Sequence, residues 1–464
     1  MNEYNIYIEG MDYYSVTECD MYKEINEHGY IKLSGYLRKN FDYEIRELLE
    51  DRNTFTVKGR NQNNEEGTVF IGLVESYEVK HADEYDELEV KLCSQTKVMD
   101  LVGNYRVFQS EGQCFEGIIN YINSNYGAQT INNGANGSIG HMSVQYAETD
   151  WNYIKRIVSE KNSFLIPSYE TKYCAYYIGL SEKGSKHITA IGYRKEKSLE
   201  SYKLKKENGV DVSLEDEDLY YVDSRDIFEI GSNVTFSEIR HPLYIYKVTA
   251  KLVGAVLVST YVLKSKKGFL TVPKKNYNII GASITATVDS VVNDKLKVTM
   301  SYDGIQDSGK LFEFATVYSS NDNAGWYCMP EVKDTVRVYF PSEIEEEAFV
   351  FNAMQVHKSG KDPKVKFFRN PQGKEIVFGV DYLKITNNDG LSIKLEDDKG
   401  ITIESKHDVN INANRDIAIE SSNGKVEVNA KENIKMIQDK SSVEVSDEVR
   451  VEGKQIHMQE SKQQ

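Results

Sequence analysis

Proline and cysteine are both scarce in this chain of 464 residues. There are 7 prolines but 32 tyrosines, and few prolines with many aromatic residues argue against disorder and favour β-sheet. The five cysteines, Cys19, Cys93, Cys114, Cys174 and Cys328, lie far apart in the sequence. An odd and sparse set is a poor basis for a disulfide framework, and the lack of CxxC spacing argues against a zinc site. We therefore expect reduced thiols.

Positive charge and long hydrophobic runs are also lacking. The formal net charge is −16, from 72 acidic and 56 basic residues, which argues against a sequence-specific nucleic-acid binder and a polybasic membrane anchor. The longest apolar stretch, 252–263, has about 12 residues, whereas a membrane-spanning helix needs about 20. The segment MNEYNIYIEG has no basic n-region, so we expect no signal peptide and assembly in the cytoplasm.

Familiar catalytic motifs are missing too. The sequence contains no GxxxxGK[ST], HExxH or GxSxG pattern, and NGSIG (136–140) lacks the first glycine of a nucleophile elbow. Glu148 and Asp150 could be imagined as an acid/base pair, but we expect them to serve the start of a helix. The acidic runs LEDEDL (214–219) and SEIEEEA (342–348) are expected to be solvated turns. We predict no catalytic residues and no cofactor.

The length predicts about three domains. Strict alternation, as in Val69/Ile71/Leu73, predicts strands over most of the first hundred residues. Apolar residues with helical spacing predict two helices, one with Phe115, Ile118, Ile119 and Ile122, the other with Trp151, Ile154, Ile157 and Val158. Thr149 is a candidate N-cap of the second helix. Strand patterns return from about 165 to 280.

A third pattern runs from about Gly281 to Val356. Five short alternating segments occur within about 75 residues, a number and size that fit a small closed barrel such as an OB-fold. The segments are Ile284–Val288, Leu296–Met300, Phe312–Val317, Val336–Phe340 and Phe349–Met354.

The strongest repeat begins near Ile376. Apolar residues recur in pairs at i and i+2, and first members between 393 and 417 are eight residues apart, followed by gaps of 9, 8 and 9. A two-residue alternation indicates strands with one buried face, and an octad period indicates one strand and turn per unit. The remaining positions are polar, so one copy has too little apolar surface for its own core. Stacking as a solenoid or winding around other copies would supply the core, and a disordered polar tail is the alternative.

An octad run after a small barrel resembles the spike of contractile injection machines, and the rest of the chain resembles the VgrG-type hub-spike family. That family includes type VI secretion, extracellular injection particle and contractile phage tail spikes. The similar segments are, in order, FIGLVESYEV (70–79), RVFQSEGQCFEGIINYI (106–122), QYAETDWNYIKRIVSEKN (145–162), GWYCMPEVKDTVRVYF (325–340) and FVFNAMQV (349–356). Lys333 stands where the family pattern has a customary glycine.

The resemblance implies a mainly β chain with three domains. Residues 1–280 would form a hub of two β-barrels with helices near 114–123 and 150–161. Residues 281–360 would form the OB barrel, and 361–464 an octad-repeat trimeric β-helix. The hub barrel in 165–280 is inferred from position alone.

The implied function is structural. A homotrimer would link the sixfold inner tube to a threefold needle that punctures the target envelope. Its expected partners are an inner-tube protein at the hub end, a PAAR-type tip protein at the C-terminal end and baseplate proteins. Assembled in the cytoplasm, the protein would be delivered outside the cell as part of an injection particle.

The expected trimer core is the set of octad residues Ile393, Ile401, Ile403, Val409, Ile411, Ile417, Ile419, Val426, Val428, Ile434, Met436, Val443 and Val445. Ile456 and Met458 are expected to dock the tip protein. His457 is a weak metal candidate, because three symmetric copies could meet on an axis. The alternation, however, turns it away from the face that Ile456 and Met458 share, so we predict no metal.

Two other functions remain open. A trimeric β-helical fibre or adhesin would use the same octads but needs no helix like DWNYIKRI (150–157). A cell-wall hydrolase on a β-repeat would need an inserted domain, and the gap between 356 and 364 is too short for one.

Overall fold

The computed structural model describes residues 6–38, 49, 54–60, 65–81, 85–110, 112–181, 184–306, 309–322, 324–354, 362–438 and 441–445. The chain forms two compact units, Met1–Val356 and His357–Gln464. Strands dominate both units, which confirms the mainly β fold class. Within these ranges, no helix is long and apolar enough to cross a membrane.

The first unit opens with a series of strands, and several of them alternate buried and less buried side chains, as expected for sheets with one buried face. They are β1 (Ile6–Ile8), β2 (Tyr14–Glu24), β3 (Tyr30–Leu37), β4 (Thr54–Arg60), β5 (Glu66–His81), β6 (Asp86–Cys93), β7 (Gly103–Phe108), β8 (Gln129–Asn132), β9 (Ser143–Thr149), β10 (Leu165–Pro167), β11 (Ala175–Ile178), β12 (Lys186–His187), β13 (Ala190–Lys197), β14 (Asp218–Ser224), β15 (Asn233–Phe236), β16 (Ile239–Val253) and β17 (Val256–Lys264).

Twelve of these strands form one sheet. Its order is β1-β4-β5-β6-β3-β2-β16-β17-β14-β13, with β15 on β16 and β12 on β15. The strands of residues 6–93 and 186–264 are joined by the antiparallel pair β2–β16, where Met21 lies opposite Ala250. The division of residues 1–280 into two barrel subdomains stays a prediction. Strands β10, β11 and β8 form a small separate sheet.

Three helices are described in full: α1 (Phe115–Asn123), α2 (Asp150–Ser159) and α3 (Leu199–Glu207). The predicted apolar stripes of α1 and α2 are buried and pack in one core. Thr149 caps α2 as predicted, because its Oγ1 accepts a hydrogen bond from the Asn152 N–H at 3.2 Å. The sequence analysis missed α3. Ser198 caps α3 by accepting from the Ser201 N–H, and the helix shows little amphipathic pattern.

The predicted barrel is confirmed. Its strands are β18 (Ser283–Val292), β19 (Lys295–Met300), β21 (Phe312–Ala315), β22 (Thr335–Tyr339) and β23 (Phe349–Met354), closed in the order β18-β19-β21-β23-β22. The short strand β20 (Asp303–Ile305) leaves the barrel and pairs in parallel with β7. The third and fifth barrel strands, β21 and β23, pair in parallel. This is the strand order of an OB-fold.

The second unit is a meander followed by a hairpin. Strands β24 (Lys366–Arg369), β25 (Glu375–Phe378), β26 (Tyr382–Thr386), β27 (Leu391–Glu396) and β28 (Gly400–Ser405) pair antiparallel in that order. Strands β29 (Ile434–Gln438) and β30 (Ser441–Val445) form the hairpin. Between them, residues 406–433 are described and contain neither strand nor helix. The β-helix between copies stays a prediction.

Two acidic runs are less exposed than expected. In LEDEDL, Glu217 is fully buried, and its carboxylate accepts hydrogen bonds from Lys205 at 2.6 Å and from Lys264 at 3.2 Å. In SEIEEEA, Glu345 is buried against Arg156. The prediction of fully solvated turns was wrong at these two residues and at Asp218, which is 8% exposed and pairs with Lys195. Each of the three buried carboxylates meets a cation supplied by another element.

Candidate functional site

The N-terminus of α2 holds a fully buried carboxylate. Asp150 is 0% exposed, and all of its partners come from neighbouring strands and loops. They are Arg106, which forms an ion pair with it, Asn104 at 3.0 Å, Gln145 at 2.8 Å and the Tyr126 hydroxyl at 2.8 Å. These groups donate to both carboxylate oxygens, so Asp150 is a structural anchor of the helix start.

Arg156 on α2 connects the helix to the barrel. Its side chain is buried, with Nε 3.1 Å from Glu148 Oε2 and Nη1 3.0 Å from Glu345 Oε1. Nη2 donates to the Val144 carbonyl at 2.8 Å. Burial raises the pKa of Glu148, and the Arg156 guanidinium opposes that rise. Glu345 belongs to the 3-10 helix Glu345–Glu347 between β22 and β23. The Arg156 guanidinium therefore pairs with Glu148, which precedes α2, and with Glu345 of the barrel.

His141 adds a second positive group at the joint. Nε2 lies 2.9 Å from Glu160 Oε2, and Nδ1 lies 2.8 Å from the Met142 carbonyl and 3.5 Å from Glu346 Oε1. The hydrogen bond to Glu160 raises the pKa of His141 to about 9. Both ring nitrogens face acceptors, so the ring is protonated at neutral pH. We call this set, Arg156, Glu148, Glu345, His141, Glu160 and Glu346, the charged joint.

Three further kinds of contact connect the barrel to β7 and β9 and reinforce the charged joint. Besides the β20–β7 pairing, the buried Gln109 donates from Nε2 to the Val298 carbonyl of β19 at 2.8 Å. Val107 and Val144, from β7 and β9, lie in the same apolar core as the barrel interior. The barrel is therefore held to α2 by the Arg156–Glu345 ion pair, and to β7 and β9 by strand pairing and a shared core.

One arrangement resembles a catalytic triad. His28 Nδ1 lies 2.9 Å from Thr96 Oγ1, its Nε2 lies 3.4 Å from Asp100 Oδ2, and Ser94 Oγ lies 2.9 Å from the Thr96 hydroxyl. Ser94 and Thr96 are 0% exposed, so no substrate can reach either hydroxyl in this conformation. The array stabilises the turn into the 3-10 helix Gln95–Asp100. Among the described residues, no group of three or more His, Cys, Asp or Glu could hold a metal ion.

The second unit presents an apolar face that no described residue covers. The register places Ile376 opposite Ile385, Ile385 opposite Ile393, and Ile393 opposite Ile403. Leu383, Leu395 and Ile401 form a parallel row on the same face, because i and i+2 share a side. We call this face the apolar ladder. Ile393 is 42% exposed and Ile401 is 72% exposed.

The later octad pairs are also exposed. In the described part of the second unit, Val409, Ile411, Ile417, Ile419, Val426 and Val428 are all more than half exposed. In the hairpin, the backbone register places Ile434 opposite Val445 and Met436 opposite Val443. The candidate tip residues Ile456 and Met458, with His457, lie outside the described residues. The trimer-core assignment stays a prediction.

Comparisons with known proteins rest on structure, because no protein-family model and no curated protein matches the sequence. The E. coli c3393 protein, a component of the type VI secretion system with structural similarity to T4 bacteriophage tail proteins gp27 and gp5, aligns at a TM-score of 0.54 and 10% identity. The alignment covers 75% of this chain and 99% of c3393. The chain has the VgrG-type hub-spike fold.

Two further structures support this fold. The lidless PdpA-VgrG complex aligns at a TM-score of 0.52 and 12% identity, over 84% of this chain and 93% of the other. The lidded Francisella PdpA-VgrG complex aligns at 0.53 and 10% identity, over 84% and 76%. At these identities the likeness concerns the fold. The resemblance predicted from five ordered segments is thus confirmed for the fold. We call the predicted domains 1–280 and 361–464 the hub and the spike, and their bounds and roles stay predictions.

Proposed function

We propose that this chain is a structural subunit of a contractile injection machine, in which three copies form a hub and a spike. The observation that carries the proposal is the exposed apolar ladder, which follows the predicted hub in the sequence of a chain with a VgrG-type fold. One copy leaves Ile401 and Ile411 about 70% exposed. Such a patch on a soluble protein marks an interface, and winding three copies together would bury it.

The hub and the charged joint fit a mechanical role. Thrust from an inner tube would enter through the hub and pass to the barrel. The buried Arg156–Glu345 ion pair and the β20–β7 pairing resist hinge motion there. Baseplate proteins and an inner-tube protein are the proposed partners of the hub, and a PAAR-type protein is the proposed partner of Ile456 and Met458. The assembled particle would carry the protein out of the cell to the target envelope.

The competing functions have less support. A trimeric fibre or adhesin would also cover the apolar ladder, but the similarity to VgrG-type structures extends over 84% of the chain, hub included. For a hydrolase, the hydroxyl–imidazole–carboxylate array at Thr96, His28 and Asp100 is the nearest arrangement described, and its hydroxyl is buried. We propose a non-enzymatic role.

Electron microscopy of the purified full chain tests the proposal. We expect particles with threefold symmetry, consisting of a ring and a thin shaft. A chain ending at Met354 serves as the control and should lose the shaft. Isolated single-copy particles with no shaft, seen across a concentration series, would contradict the hub-spike function.

A further inference from the structure

A groove on the OB barrel combines exposed aromatic rings with carboxylates. Its volume is about 540 Å³, within the range typical of ligand sites. Tyr318, Trp326 and Tyr327 line it and are 53%, 54% and 74% exposed. Asp294 from the β18–β19 turn and Glu313 from β21 complete the polar side. Large exposed aromatic residues gathered at one groove of a soluble protein mark a binding surface.

The loop that carries the rings is held in place by its own hydrogen bonds. The segment between β21 and β22 folds back on itself, with a bridge between Ser319 and Gly325. The Trp326 N–H donates to the Tyr318 carbonyl at 2.9 Å, and Thr316 Oγ1 donates to the Trp326 carbonyl at 2.7 Å. The Tyr327 hydroxyl donates to the Asn293 carbonyl at 3.0 Å. The groove is therefore formed before any ligand arrives, which lowers the entropic cost of binding.

The groove lies where OB-folds bind ligands. OB-folds use their second and third strands and the adjoining loops to bind oligonucleotides or oligosaccharides. Here the third strand β21 supplies Glu313, and the turn before the second strand β19 supplies Asp294. Lys295 is paired with Glu313 at 2.5 Å, so this cation is already neutralised. The remaining charge is negative and would repel phosphates.

We infer that this groove binds a neutral oligosaccharide. The C–H face of a sugar ring would stack on Trp326 and Tyr318, and its hydroxyl edge would donate hydrogen bonds to the Asp294 carboxylate. The inference goes beyond the proposed function and does not rest on it, since all the groove residues belong to one barrel. It gives the chain an affinity for glycan through barrel residues, none of which belongs to the apolar ladder.

Tryptophan fluorescence of the full chain provides the test. The chain has two tryptophans, and Trp151 is buried at 1% exposed, so iodide quenching reports mainly on Trp326. We expect the neutral probe tetra-N-acetylchitotetraose to shift the emission to the blue and to protect Trp326 from iodide, with saturation. Decathymidylate, which is anionic, should do neither.

Variants sharpen the test. Tyr318→Ala should weaken binding about tenfold, as truncation of a central aromatic contact does, and Asp294→Asn should weaken it severalfold by removing the charged acceptor. Tyr277→Ala is the matched control, because Tyr277 is 67% exposed and lies outside the groove. Trp326→Ala, measured by calorimetry, should abolish binding.

Three outcomes would overturn the inference. The first is no spectral change at millimolar chitotetraose with a folded protein. The second is saturable binding of decathymidylate in place of the sugar. The third outcome combines two results: Trp326 is shielded from iodide in the assembled protein without sugar, and the Tyr318→Ala variant no longer assembles. Together they would show that the groove is an interface between copies.

Discussion

The two units of this chain differ in where their apolar side chains lie. The first unit contains three buried cores, built on the large sheet, on α1 and α2, and on the barrel. In the described part of the second unit, Val377 is the only hydrophobic residue that is buried. The first unit therefore has the interior of an independently folded protein, whereas the described part of the second unit leaves its apolar side chains exposed to water, which the proposed trimer would cover.

The same contrast holds for charge. The first unit buries ionic groups such as Arg156, Glu217 and Asp150, each with several partners. Most described ion pairs of the second unit, such as Lys406–Asp389, lie at the surface, although the Glu375 side chain paired with Arg369 is largely buried. Buried pairs fix the relative position of elements, while surface pairs contribute little. The first unit is therefore positioned by buried pairs within the chain, whereas the described part of the second unit has few such pairs.

The largest effect should come from placing a charge at one of the exposed octad residues that follow the apolar ladder in the sequence. Ile411→Asp would place three like charges near the proposed axis, so we expect loss of the assembly and rapid proteolysis of the spike, with hub unfolding unchanged. Mass measurement and limited proteolysis check this. Asn410→Asp is the matched control, since in the proposed β-helix it would add the same charge on the face opposite Ile411. If the Ile411→Asp protein still assembled, burial of the second unit's apolar side chains between copies would be contradicted.

The next effect concerns the charged joint. Arg156→Met leaves Glu148 and Glu345 buried without a cation, so we expect the first unit to lose about 3–5 kcal/mol of unfolding free energy. Denaturant unfolding followed by circular dichroism measures it. The control is Lys267→Ala, which removes the exposed pair with Asp211 and should change stability by less than about 1 kcal/mol. Equal effects of the two variants would show that the joint is not a structural anchor.

The smallest effect is a pH dependence at the same joint. The pKa of His141 is raised to about 9 by Glu160, above the value of about 6.5 expected in the unfolded chain. The stabilisation is therefore fully present below about pH 6.5 and is lost as pH rises through about 9. Partial exposure of the ring reduces it to about 1–2 kcal/mol.

The measurement is the difference in unfolding free energy between the chain and His141→Gln from pH 6 to 10. The difference should shrink as pH rises, because both proteins share every other titrating group. A difference that stays constant across this range would show that His141 is neutral in the folded protein.

Sequence periodicity predicted the elements whose burial follows a local rule. The i, i+2 pairs such as Leu391/Ile393 and Ile401/Ile403 do share one face of the meander. The stripes of α1 and α2 and the five barrel strands followed from spacing alone, and the order of five segments identified the fold.

Long-range partners could not be predicted. Glu217 and Glu345 lie in acidic runs that the sequence predicts to be exposed to solvent. Only the folded chain brings Lys205 and Lys264 to Glu217, and Arg156 to Glu345. Arg156 and Glu345 are 189 positions apart, and no local pattern records such a pair. Helix α3 was missed because its apolar residues form no stripe, although Ser198 as N-cap and Lys205 and Lys206 in the last turn were available signals.

The most direct test of the account is the solution mass of the full chain by light scattering, compared with a chain ending at Met354. The account predicts three times the chain mass of 53.0 kDa, resistance of that assembly to heat and detergent, and a weaker assembly once the spike is removed. A stable monomer at all concentrations, with the spike cut readily by protease, would contradict it.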